Sequence, residues 1–212
     1  MRRAALVTPL LAAVAACSQP VPLKEQAICD FTYPWADKPA PRTEFRARTA
    51  EGRLRFTFLV DDADVIVASQ WHGESTLDGE DRVEIFFAKD PTLADYWCVE
   101  IDPLGRVHDY HARHYRQFDH GWNCPDLITT GARTAAGYEV TGSIRLETLS
   151  RLLGRPVEPG AVLHIGLFRA QFYGPPGPTR GDTADNWISW VRPSTRDPDF
   201  HVPSAFGDWI VP

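Results

Sequence analysis

Apolar and polar residues alternate with a period of two along most of this chain, and no other pattern limits its fold more severely. Each alternating segment offers one face to a core and the other to solvent, as only a strand does. In FRARTAEGRLRFTFLV (45–60), Leu54, Phe56, Phe58 and Val60 fall on one side, and Glu51-Gly52 separates two such runs as a hairpin turn. Further strands are expected at DVIVAS (64–69), RVEIFFA (82–88), DYWCVEID (95–102), RVHDYHARHY (106–115), LITTGART (127–134), GYEVTGSIR (137–145), AVLHIGLFRAQFY (161–173) and NWISWV (186–191). Only LETLSRLLG has helical spacing, with Leu146, Leu149, Leu152 and Leu153 on one side and Gly154 to end it. Many short strands, frequent turn residues and one short helix predict an all-β chain: an antiparallel β-sandwich of the jelly-roll or immunoglobulin-like kind.

The N-terminus departs from this pattern. MRRAALVTPLLAAVAAC has a charged start, an apolar stretch and a small-residue end, the marks of a secretory signal too short to span a bilayer. Val14-Ala15-Ala16-Cys17 resembles the bacterial lipobox, in which the chain is cut before the cysteine and that cysteine takes lipid. The expected organisation is a lipoprotein signal peptide over 1–16, a tether over 17–27 and one domain over 28–212. An ordinary signal with a chance cysteine is the alternative. The expected location is the cell envelope, with Cys17 as the lipid anchor in a membrane, the outer membrane for preference. Losing Arg2 and Arg3 from 22 basic residues, against 28 acidic ones, leaves a charge of −8. That balance argues against nucleic acid as a partner.

Cys29, Cys98 and Cys124 remain, in an oxidising compartment where one disulfide is expected. Cys98–Cys124 is the preferred pair, since Cys98 lies in a strand and Cys124 follows the loop leaving the next; the spacing alone leaves other pairings open.

VHDYHARHYRQFDHGW (107–122) carries His108, His111, His114 and His120 and raises the question of a metal. Read as a strand leaving a tight turn, it puts His108, Tyr110 and His114 on one face and Asp109, His111, Arg113 and Tyr115 on the other. His108 and His114 are then about 20 Å apart at ~3.3 Å per residue, too far to share an ion. The polar face, with Tyr110 or Tyr115, is expected to border a groove.

Five segments follow one another in a recognisable order: EDRVEIFF (80–87), YWCVEIDPLG (96–105), GYEVTGSIRLETL (137–149), LHIGLFRAQF (163–172) and SWVRPSTRDPDFHVPSAFG (189–207). Together they resemble the family 9 carbohydrate-binding modules, from about residue 30 to the C-terminus. Ile101-Asp102-Pro103 stands where that family more often has V-N-P. The resemblance implies a sandwich that holds a glycan chain end between tryptophans while polar side chains read its hydroxyls. It puts Trp71, in a polar loop before the V-E-I-F strand, in the place of a platform tryptophan. It makes Trp190, in the Ser-Trp near the end, the second wall, with core packing beside Ile188 as the plainer role. His201 belongs to the terminal His-x-Pro-x-x-Phe-Gly.

Two charged residues join this expected ligand set. Arg169 interrupts an apolar strand, where it must be paired or face a polar groove; an ion pair with Glu84 or Glu100 is the structural reading and hydroxyl recognition the functional one. Asp81 could orient a loop, accept from a sugar hydroxyl or help hold structural Ca²⁺, for which Asp61, Asp62 and Asp64 form the nearest cluster. No other cofactor is expected. The chain has no G-x-S-x-G, no H-E-x-x-H and no phosphate-binding glycine loop, so the expected function is non-catalytic binding of an oligo- or polysaccharide. The competing readings are a haem- or metal-binding sandwich, which without C-x-x-C-H would need histidine or cysteine ligation, and a structural envelope protein with no sugar ligand.

Overall fold

The computed structural model describes residues 25–174 and 183–212. The signal peptide, Cys17 and the tether up to residue 24 therefore lie outside the described residues. Twelve strands and one helix form two facing antiparallel sheets. In chain order the strands are β1 (Gln26–Ile28), β2 (Thr43–Ala50), β3 (Arg53–Asp61), β4 (Arg82–Ala88), β5 (Tyr96–Ile101), β6 (Val107–Arg113), β7 (Gln117–Asp119), β8 (Ile128–Arg133) and β9 (Gly137–Arg145). The helix α1 (Leu146–Leu153) comes next, then β10 (Val162–Ala170), β11 (Trp187–Ser189) and β12 (Gly207–Ile210). One sheet runs β1-β2-β3-β9-β8. The other runs β11-β10-β4-β5-β6-β7, with β12 pairing the first half of β10.

The local chemistry explains the elements. Glu51 and Gly52 both take positive φ, the geometry of a two-residue hairpin turn whose twist matches its strands. Along β3, Leu54, Phe56, Phe58 and Val60 are buried and the residues between them are not, which fixes the pairing register with β2 and β9. Helix α1 ends on Gly154 in the left-handed conformation and buries Leu149 and Leu153. At the β5–β6 turn a side chain on Gly105 would come within 2.6 Å of the Gly131 nitrogen, so glycine is required where the two sheets' backbones meet.

The core between the sheets joins Phe45, Phe56, Phe58, Val140 and Ile144 to Val83, Ile85, Phe87, Val99, Ile165 and Leu167. The seven-stranded sheet is covered on its other face as well. There Phe86, Tyr96, Cys98, Tyr110 and Phe168 pack under Phe200 and Phe206 from the C-terminal segment. The Phe168 and Phe200 rings stack at 4.0 Å.

Three expectations need correction. DVIVAS is not a strand: its Ile66 and Ala68 amides donate to the carboxylates of Asp81 and Glu80, at 2.6 and 2.8 Å, instead of to a neighbouring strand. Cys98 and Cys124 form no disulfide, and all three described cysteines are free. Cys98 belongs to the outer-face cluster and Cys124 packs against the core between the sheets, so the two thiols lie on opposite sides of the same sheet. Finally, Gln117–Asp119 in the expected loop folds back as β7 beside β6.

A candidate ligand cleft on the seven-stranded sheet

Strand alternation sends Arg82 and Glu84 of β4, Glu100 of β5, and His108 and Tyr110 of β6 to the outer face of the seven-stranded sheet. Beyond the edge of the aromatic cluster these side chains floor a cleft of about 380 Å³ that is also lined by Trp35, Trp187, Phe200, His201, Phe118, His120 and Arg116. Phe200 holds the wall together, with ring centroids 5.3 Å from Trp35 and 5.6 Å from Trp187.

The floor is a closed electrostatic set. Glu84 and Glu100 sit opposite one another on β4 and β5; the Nε of Arg82 donates to Glu84 at 2.9 Å and forms an ion pair with Glu100 at 2.7 Å. Arg82 also donates to the Leu77 carbonyl at 3.0 Å, and its guanidinium lies 5.4 Å from the Trp187 ring centre, which fixes the plane of that indole. Tyr110 donates to Glu100 at 2.8 Å. Burial, reinforced by the charge of Glu100, pushes the Glu84 carboxyl up to about 8 against the pull of Arg82. The two acids therefore share one cation, and Glu84 holds its proton at neutral pH.

Histidines occupy the rim in two different states. Burial, aided by the nearby Arg116, pushes His201 down to about 3, so it is a neutral ring there, hydrogen-bonded to the Tyr96 hydroxyl at 3.0 Å. Burial works against a charge on His108 too, but Asp78 and Glu100 outweigh it and the histidine is raised. Its Nε2 lies 3.2 Å from Nδ1 of His120 and its Nδ1 lies 3.6 Å from Asp78. This pairing depends on β7 returning beside β6, which the spacing of the histidines does not reveal. Asp78, His108 and His120 also line a second cleft, with Trp71, Glu74 and Val107. Trp71 is 43 % exposed there and lies over Arg106, 5.2 Å from the ring centre. Among the described residues no three histidine, cysteine or acidic side chains are grouped to hold a metal ion.

The structure brings Tyr110 and His201 together in the first cleft and puts Trp71 in the adjoining one. It does not bring Arg169, Asp81 or Trp190 to either. Arg169 is fully buried and pairs with Asp62 at 3.0 Å, not with Glu84 or Glu100, while also donating to Thr43 Oγ1 and the Asp61 carbonyl. Asp81 accepts the Ile66 and Phe172 amides, both at 2.6 Å, and staples two loops; burial pushes its carboxyl up to about 7. Trp190 packs against the core between the sheets, on the same side of its strand as Ile188. Trp187, one residue outside that alternation, is the tryptophan at the cleft. Arg82, Glu84 and Glu100 escaped the sequence reading because strands with both faces buried show no alternation. Their signal was charge at every second position, in R-V-E and in V-E-I, inside apolar strands.

No family model matches the chain, and no curated protein matches it. Solved structures do resemble it. A carbohydrate-binding protein candidate from Bacteroides uniformis superposes with a TM-score of 0.62 at 17% identity, covering 90% of this chain and 87% of that one. A family 9 carbohydrate-binding module from Caldicellulosiruptor kristjanssonii, solved with cellotriose, superposes with a TM-score of 0.53 at 13% identity, covering 89% and 82%. At these identities the likeness is one of fold, and it spans nearly the whole of each chain.

Proposed function

We propose that this protein is a non-catalytic glycan-binding lipoprotein of the cell envelope, anchored by lipid on Cys17 to a membrane, the outer membrane for preference, and holding an oligo- or polysaccharide in the cleft on its seven-stranded sheet. The observation that carries this is a cleft with aromatic walls and a fixed polar floor. A pyranose ring has apolar faces and a hydroxyl rim, so it needs indole or phenyl surface on its flanks and anchored donors and acceptors below. Trp187 and Trp35 supply the first, and Arg82, Glu84, Glu100, Tyr110 and His108 the second. The cellotriose held by the structurally similar module supports the choice of ligand class.

The floor supports binding without hydrolysis. A glycosidase needs one carboxyl free to donate a proton and a second free to attack or to activate water. Glu84 and Glu100 are both tied to one arginine Nε. Titration of the chain lacking residues 1–17 with neutral oligosaccharides, followed by tryptophan fluorescence, should show saturable binding that Trp187→Ala weakens about tenfold or more. A folded sample that responds to no sugar refutes the reading. Cys17→Ala should move the full chain from the membrane fraction to the soluble one, and unchanged retention refutes the anchor.

A further inference from the structure

The outer face of the five-stranded sheet looks away from the cleft and has a different chemistry. Cross-strand register lays its residues out in rows. One row is Arg48, Arg55, Ser143 and Ile128, from β2 through β3 and β9 to β8; the next is Arg46, Thr57, Thr141 and Thr130. Arg53 and Arg145 stand opposite one another in the row nearest the hairpin turn. Five arginines thus share the hairpin half of this face, while Glu44, Glu139 and Asp61 take the other half.

Few of these charges are neutralised strongly. Glu44 accepts from Arg46, Glu51 from Arg55, and Asp126 lies 3.6 Å from Arg145, all pairs with a well-exposed partner that contribute little in water. Arg53 donates to Ser143 and the Asp126 carbonyl. Arg48 has no hydrogen bond or ion pair among the described residues, and the buried Nε of Arg55 has no partner there. Like charges directly opposite on neighbouring strands destabilise a sheet, and Arg48 faces Arg55. A shallow groove of about 250 Å³ runs between these arginines and the threonines, with Glu25 at its rim.

Glu25 also marks where the chain enters the fold. It precedes β1, the edge strand of this same sheet, and only seven residues lie between it and Cys17. Those eight residue steps reach at most about 27 Å, which keeps this edge of the domain close to its anchor.

We propose that this arginine face lies against the anionic headgroups of the membrane that holds the lipid anchor. The inference rests on the lipoprotein reading. A chain of net charge −8 is repelled by such a surface everywhere except at a patch like this one, and a cluster of four or more arginines beside a lipid anchor is the arrangement anionic lipid attracts. The geometry then turns the cleft outward, away from the bilayer and toward the glycan.

The test separates this face from the anchor. The chain lacking residues 1–17 is sedimented with vesicles of phosphatidylcholine alone and with vesicles in which about one lipid in three is phosphatidylglycerol, at low ionic strength. Binding is expected only to the anionic vesicles, and it should vanish as salt shortens the screening length. Arg48→Gln with Arg55→Gln should weaken it about 25-fold, at roughly fivefold per arginine, with sugar binding unchanged and the urea midpoint no lower, since a like-charge pair is removed. Equal partition to both vesicle types, or an undiminished affinity in the double variant, overturns the proposal. So does binding of polygalacturonate at this face without vesicle binding, which would reassign it to an acidic polysaccharide. Failure of the anchor reading shows separately, as a full chain whose fractionation ignores Cys17→Ala.

Discussion

Replacing Arg82 by methionine tests the electrostatic account of the cleft floor most directly. The substitution keeps most of the aliphatic volume and removes the only cation among the described residues within hydrogen-bonding distance of Glu84 and Glu100, which are 2 % and 5 % exposed. Breaking a buried ion pair from one side costs about 3–5 kcal/mol, because a desolvated charge is left behind. For a domain of this size that is a fall in Tm of roughly 6–20 °C. The loss should depend on pH, and its sign follows from the protons. Glu84 already titrates near 8 in the fold against 4.5 in the unfolded chain, so the folded state holds the extra proton between those values. Stability from this group is therefore greatest below 4.5 and declines as pH rises toward 8. Without the lowering pull of Arg82 the Glu84 carboxyl rises further and the decline steepens. Urea unfolding, followed by tryptophan fluorescence at about pH 5 and about pH 8.5, should show a small deficit at the first and the full one at the second. Equal deficits at the two pH values, or a deficit under about 1 kcal/mol at the higher one, would refute a proton held on Glu84 beside Arg82.

Three further outcomes follow. Trp190→Ala should cost about 3 kcal/mol or more of stability and leave the ligand affinity of the folded fraction intact, the reverse of the balance expected for the cleft-facing Trp71→Ala, where stability changes by under about 0.5 kcal/mol; a ligand defect in the Trp190 variant would overturn its assignment to the core. Arg169→Met should destabilise by about 3–5 kcal/mol by stranding Asp62, and the double variant with Asp62→Leu should recover most of the loss in the same urea assay, whereas no recovery would show that the pair is not coupled. Thiol titration of the unfolded, unreduced chain lacking residues 1–17 should count three thiols, and a count of one would restore a disulfide.

How much of this was legible in the residues depends on the range over which each feature is determined. The hairpin at 45–60 and the strands at 82–88 and 137–145 were read correctly because local alternation and a glycine turn fix them. DVIVAS has the composition of a strand, yet its amides are claimed by Glu80 and Asp81, a choice made by tertiary packing. β1, β7 and β12 are too short for a period to register. Trp187 and Trp190 differ in which side of one short strand they occupy, and a run of six residues does not declare its parity. The partner of Arg169 is Asp62, 107 residues away in sequence, a distance over which no pattern carries information. The cleft floor was hidden for a related reason: once the C-terminal segment covers the outer face of β4 and β5, apolar residues occupy both faces of those strands and the period of two that would mark a polar face is lost.

That double covering has a consequence for how the cleft behaves in time. The amides of β4 and β5 sit in mid-sheet, with a hydrophobic layer above and another below. They should be among the last in the molecule to exchange hydrogen for deuterium, opening only when the whole domain does. The floor groups Arg82, Glu84 and Glu100 are thus mounted on the slowest-breathing part of the fold. A sugar arriving there would find its contacts already in place, and the entropy of arranging them would have been spent once, during folding.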